Sequence, residues 1–130
     1  MITGSVDDDL NAVIEITVTG IGLRRKNIAA KVDTGFNDYL LLPNDVIAFL
    51  KLERTQRDAL ATLADGTEIA TPYFIAEVLW DGAMKRVLVL GTEGGALVGM
   101  SLMRGYDLSV AVTEGGAVTL SKTVGETLSA

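Results

Sequence analysis

"AAKVDTGFNDYLLLP", residues 29–43, is the stretch on which the reading of this chain turns. Asp33 ends an apolar, strand-like run, Thr34 and Gly35 follow at once, and the chain returns to apolar residues from Tyr39 to Leu42. Taken alone, Asp-Thr-Gly is weak evidence, since at average residue usage roughly one chain of this length in thirty holds it by chance. A surface turn would also use Asp and Gly. Surface turns, however, lie between segments that become polar at their ends, whereas Val32 precedes this one and Phe36 follows it. A carboxylate in such a place is costly unless it is paired or hydrogen-bonded. A tight loop at Gly35 can supply the backbone N–H groups. The expectation is a buried, constrained acid at a strand end, which is a way to place a reactive group.

Outward from this stretch the pattern is mostly strands of period two separated by Gly-containing turns. Ala12, Ile14, Ile16 and Val18 alternate with Val13, Glu15 and Thr17, and Gly20-Ile21-Gly22 turns that strand back into Leu23–Val32. Asp65-Gly66 and Asp81-Gly82 read as hairpin turns, because Gly accepts the positive φ such turns need. The first joins Asp58–Ala64 to Thr67–Trp80, and the second joins that long strand to Met84–Leu90. Pro72 cannot donate to a ladder and is expected at an edge or a bulge. Glu114-Gly115-Gly116 separates Leu108–Val112 from Ala117–Leu120. Helix is scarce: Pro43–Lys51, with Pro at its start and Asp45 in its first turn, and a turn or two at Met100–Arg104. The expected fold is all-β, a sandwich or barrel.

At 130 residues the chain is one domain by length. Its net charge of −6 argues against nucleic acid or an anionic membrane as a main partner. No apolar run is long enough to span a membrane. The start "MITGSVDDDL" lacks the features of a signal peptide, so the expected address is the cytoplasm. There is no cysteine and no histidine. That removes thiol nucleophiles, Ser-His-Asp machinery and the usual zinc ligands. Acid–base chemistry then falls to Asp, Glu, Lys or Tyr. "GTEGGALVG", residues 91–99, lacks the Lys-Ser/Thr ending of a phosphate loop. Asp7, Asp8 and Asp9 lack calcium-loop spacing and read as a solvated turn. Met100 and Met103 read as core. No metal or cofactor is expected.

"VDTGFNDYLLLP" resembles the active-site loop of retropepsin-like aspartic proteases, particularly their single-domain bacterial members. A second mark of that family, two apolar residues and then Gly, is matched by Leu97-Val98-Gly99, with a short helix candidate behind it. Between them "LADGTEIAT", residues 63–71, resembles the flap hairpin that closes over substrate. The resemblance covers roughly residues 10–120. It implies a retropepsin-like acid-protease barrel over residues 1–120, with a tail, 121–130, as a candidate for the dimer interface. Departures exist: Phe36 stands where relatives carry a small residue. Asn37 and Met100 are uncharged where viral members place an acid and an arginine.

Peptide hydrolysis by this route needs two carboxylates sharing one proton. The chain has one Asp-Thr-Gly, so the resemblance implies a homodimer in which each Asp33 faces its twin, the two titrating as a coupled pair. It assigns Asp33, Thr34 and Gly35 to catalysis: Thr34 to lock the paired loops, Gly35 to let backbone approach substrate. Phe36, Asn37 and Asp38 would line the cleft or its mouth. Ala64, Asp65, Gly66 and Ile69 would meet an extended peptide or protein substrate from the flap. A peptide-binding or dimerisation module of the same fold, catalytically idle, is the alternative.

Overall fold

A computed structural model describes residues 1–124. In chain order it holds β1 (Ile2–Val6), β2 (Ala12–Thr19), a short 3-10 turn (Ile21–Leu23), β3 (Arg25–Val32), β4 (Leu40–Pro43) and α1 (Asn44–Leu50). There follow β5 (Glu53–Thr62), β6 (Glu68–Trp80), β7 (Ala83–Thr92) and the two-residue β8 (Leu97–Val98). The last elements are α2 (Met100–Met103), β9 (Tyr106–Val110) and β10 (Ala117–Lys122).

The ten strands form one sheet in the order β5-β6-β7-β4-β8-β3-β2-β1-β10-β9, and an extra pairing of β6 with β2 closes part of it on itself. Strand β2 makes the closure possible because it is long enough to hold two partners on one edge. Its first half pairs with β1 (Val6 opposite Ala12) and its end with β6 (Thr17 opposite Leu79), while β3 runs along the other edge. The result is a six-stranded barrel, β2-β3-β8-β4-β7-β6, with β5 laid on β6 and β1, β10, β9 laid on β2. Alternation decides what fills it. Ile14, Ile16 and Val18 of β2 point inward, as do Leu40 and Leu42 of β4, Ala76 and Val78 of β6, and Val87 and Val89 of β7. No polar or charged side chain is buried among the described residues.

The hairpin turns lie where Gly predicts them. Asp81 and Gly82 both have positive φ, +51° and +85°, as a two-residue turn between β6 and β7 requires. Pro72 sits at an irregularity of the β5–β6 ladder, the position expected for a residue without an N–H. Helix α1 starts one residue later than its Pro and ends at Leu50, stopped by the left-handed conformation of Lys51. The acids at 7–9 form a turn: Asp7 accepts from the backbone N–H groups of Asn11 at 2.8 Å and Asp9 at 3.1 Å. The Asn11 bond leads in holding the Asp7 carboxyl below its ordinary range.

At the two ends of the chain the structure departs from the sequence pattern. Strand β1 carries little apolar signal, because Gly4 leaves only Ile2 and Val6 as apolar side chains on its inner face; it forms because β2 and β10 offer ladders on either side. Strand β10 runs two residues past Leu120, and the Thr123 backbone N–H then bonds the Gly105 carbonyl at 2.9 Å. Residues 121–123 are thus tied to the domain, Val124 is exposed, and the rest of the tail, 125–130, lies outside the described residues. No helix among the described residues is long and apolar enough to cross a membrane.

Candidate active site

Strand β8 is the element that builds the site. It lies between β3 and β4, parallel to β3 (Val32 opposite Val98) and antiparallel to β4 (Leu40 opposite Val98). The loop from β3 to β4, residues 33–39, must therefore pass around the end of β8. Its backbone is satisfied there. The Asp33 N–H bonds the Val98 carbonyl at 3.0 Å, and the Gly99 N–H bonds the Tyr39 carbonyl at 3.0 Å. Helix α2 then hangs from the same loop, through Met100 N–H to the Phe36 carbonyl at 2.8 Å and the Ser101 hydroxyl to the Asn37 carbonyl at 2.5 Å.

Gly99 is required by this crossing. A Cβ there would stand 2.0 Å from the Asp38 carbonyl oxygen and 2.7 Å from Cδ2 of Phe36. Its φ is −99°, so the constraint is space and not backbone strain. The pair of apolar residues before it has an equally local reason: Val98 is fully buried in the barrel and Leu97 half-buried beside it.

Asp33 leaves the end of β3 with Oδ1 accepting from the Gly35 N–H at 2.8 Å. A Cβ on Gly35 would stand 3.2 Å from that oxygen, so glycine lets the loop close over its own carboxylate. The expectation of a buried acid needs correction. Asp33 is half-buried, and Thr34 and Gly35 are exposed. The apolar residues on both sides belong to strands that enter the barrel, while the loop between them stands at its rim. Beside it Thr34, Met100, Met103, Arg104, Tyr106 and Leu108 line an open pocket. Met103 is buried, as its reading as core requires, but Met100 is 47% exposed on this face.

Asp38 is engaged. Its Oδ1 accepts from the Tyr39 N–H at 2.9 Å, and its Oδ2 accepts a short hydrogen bond from the Tyr73 hydroxyl on β6. That bond comes first among the causes that push the Tyr73 phenol up to about 12, followed by burial and the carboxylate's charge; Arg57 opposes them. Sequence reasoning missed Tyr73. Nothing near it in the chain signals a partner 35 residues away. Ser101 was missed for the same reason, its acceptor lying 64 residues off.

The structure thus brings Asp33, Thr34, Gly35, Phe36, Asn37 and Asp38 into one loop around Gly99. Ala64, Asp65, Gly66 and Ile69 lie apart, in the β5–β6 hairpin, where residues 60–70 are all exposed. The hairpin turn closes by Leu63 N–H to the Thr67 carbonyl at 2.7 Å and by Thr67 N–H to Asp65 Oδ1 at 2.9 Å. Gly66 supplies its positive φ, +87°. The Thr67 bonds, backbone first, hold the Asp65 carboxyl below its ordinary range. Among the described residues no hydrogen bond joins this turn to the Asp33 loop.

No family model matches the sequence, and no curated protein matches it. Among solved structures, the chain is similar to a retropepsin-like aspartic protease from Rickettsia conorii. The two share 18% identity over 90% of this chain and 87% of that one, with a TM-score of 0.55. The fold is retropepsin-like. An identity that low carries architecture and not chemistry. Within a retropepsin-like fold, the loop around β8 is where the Asp-Thr-Gly of this chain falls, and the exposed β5–β6 hairpin is its long projecting arm.

Proposed function

We propose that this chain is an aspartic endopeptidase that works as a homodimer, Asp33 of one protomer facing the partner subunit's Asp33 across a two-fold axis. The observation that carries the reading is the placement of Asp-Thr-Gly in a retropepsin-like fold. Asp33 stands at the rim with its Oδ1 held by Gly35 N–H, and Thr34 and Gly35 are open to a second copy. In the paired site one carboxylate takes a proton from a water molecule while the other, protonated, donates to the carbonyl oxygen of the scissile peptide. The water oxygen bonds the carbonyl carbon to give a tetrahedral diol. The protonated carboxyl then gives its proton to the peptide nitrogen while the other carboxylate takes one from a diol hydroxyl, the C–N bond breaks, and the pair again shares one proton.

The end of the sheet supports a dimer on this face. Strand β9 is its last strand among the described residues and borders the Thr34 pocket. The Ala111 N–H bonds the Ala117 carbonyl. By the alternation of antiparallel ladders, the N–H groups of Leu108 and Val110 face away from β10, towards an edge a second copy can extend. Substrate would lie extended beneath the hairpin bearing Ala64, Asp65, Gly66 and Ile69, its backbone meeting theirs as an added strand.

Asp33→Asn tests the reading, because Asn keeps the oxygen that Gly35 N–H needs. Cleavage of a mixed peptide library should fall at least about a hundredfold, the usual range for losing a general acid–base group. Self-association, measured by sedimentation, should persist, as should binding of an extended peptide. A wild-type chain that is strictly monomeric, or a variant that cuts as well as wild type, overturns the proposal. Wild type that binds peptide without cutting it would be the idle module.

A further inference from the structure

The β5–β6 hairpin carries a built irregularity at the height of the active-site loop. Arg54 stands opposite Phe74 and Asp58 opposite Pro72, so Thr55, Gln56 and Arg57 of β5 face the single residue Tyr73 of β6. Such an insertion bends a strand and breaks its ladder. This one is braced by side chains. The Thr55 hydroxyl accepts from the Arg57 N–H at 3.0 Å and donates to the Arg57 carbonyl at 3.1 Å. Arg54 and Asp58 pair across it at 3.6 Å, and the Arg57 guanidinium lies 6.0 Å from the centre of the Tyr73 ring. Beyond it the arm is almost wholly exposed, whereas below it Ala76 and Val78 are buried in the barrel. At the break itself the Tyr73 hydroxyl ties the arm to Asp38 of the loop that carries Asp33.

We propose that Tyr73 and Asp38 form the pivot of the hairpin: the arm Asp58–Pro72 opens as one cooperative unit beyond the bulge, and the Tyr73–Asp38 bond at its base holds it over the Asp33 loop. Both are positioning residues. The bond is charge-assisted, the stronger class of hydrogen bond, so it can hold a two-stranded arm that has little core of its own. The ladder on the arm side is regular from Asp58–Pro72 to Thr62–Glu68, so it opens cooperatively when the tie at its base is loosened and exposes its own amides together. The pivot as a determinant of substrate binding rests on the peptidase reading. As a determinant of arm motion it does not.

The test is amide hydrogen exchange across residues 58–71 in wild type, Tyr73→Phe, Asp38→Asn and the double variant, with peptide kinetics alongside. Tyr73→Phe should exchange about tenfold faster in the arm, the loss expected for a hydrogen bond to a charged group. Asp38→Asn replaces one of the two accepting oxygens with an NH2 that can donate to the Tyr73 hydroxyl, so a neutral bond takes the place of the charge-assisted one and exchange should rise only about threefold. The double variant should match Tyr73→Phe, since without the hydroxyl the acceptor is immaterial. Exchange in β2 and β7 should not change. With a cleavable peptide, KM should rise and kcat should hold in Tyr73→Phe, with Asp38→Asn in between. Arm exchange equal to wild type in Tyr73→Phe, additive effects in the double variant, or an equal rise in β2 and β7 would each overturn the pivot. If wild type cuts no peptide, the peptidase reading fails while the exchange data still decide the pivot.

Discussion

Tyr73, whose hydroxyl is bonded to Asp38, has a titration that reports on the fold. The folded phenol, pushed up to about 12, keeps its proton where an unfolded tyrosine, ionising near ~10, gives it up. The stability that the pair contributes is therefore complete below the unfolded value and is lost as pH climbs through the folded one. Denaturant unfolding between about pH 10 and 12 should show wild type weakening more steeply than Tyr73→Phe. Tyr106 is also raised, by burial first and then by its bond to Asp81, so tyrosinate absorbance should show two late steps in wild type. One should vanish in Tyr73→Phe. Equal pH slopes in the two proteins would mean that the hydroxyl has no carboxylate partner in solution.

At the scale of elements, the site depends on a two-residue strand. Strand β8 and the first turn of α2 are held by backbone bonds to the Asp33–Tyr39 loop, and Gly99 is the point of closest approach. Gly99→Ala forces a methyl against a carbonyl oxygen at 2.0 Å, which backbone cannot yield cheaply. The expected cost is about 3 kcal/mol or more, at the upper end for overpacking. Thermal or denaturant unfolding measures it. A loss below about 1 kcal/mol, the ordinary size for a point substitution, would show that the loop relaxes around the methyl. The β5–β6 arm is the opposite case: residues 60–70 are exposed, so substitutions at its tip should cost the fold little.

For the molecule as a whole, the proposed chemistry is bimolecular in protein. Half a site has one carboxylate and no partner for the shared proton, so specific activity should fall on dilution below the dimer dissociation constant. Above it, activity per chain should be constant. Activity that stays proportional to protein at every dilution, with a monomer by sedimentation, would remove the paired site. The barrel should be indifferent to the same dilution, because its core closes within one chain through the β2–β6 pairing.

Local chemistry was enough for much of this. Alternation marked β2 and the long β6, Asx-Gly pairs marked the hairpin turns, and the fall from Val32 to Asp33 to Gly35 marked a strand ending in a constrained acid. These are decisions taken within a few residues, where periodicity and φ preference act. Tertiary structure alone decided the rest. It inserted β8 between β3 and β4 and made Gly99 obligatory. It left Asp33 half-open at the rim, paired Asp38 with Tyr73, and set the weakly patterned β1 between β2 and β10. Each of these joins groups distant in sequence, and the energy that fixes them comes from ladders, close approach and hydrogen bonds that exist only once the chain has closed on itself.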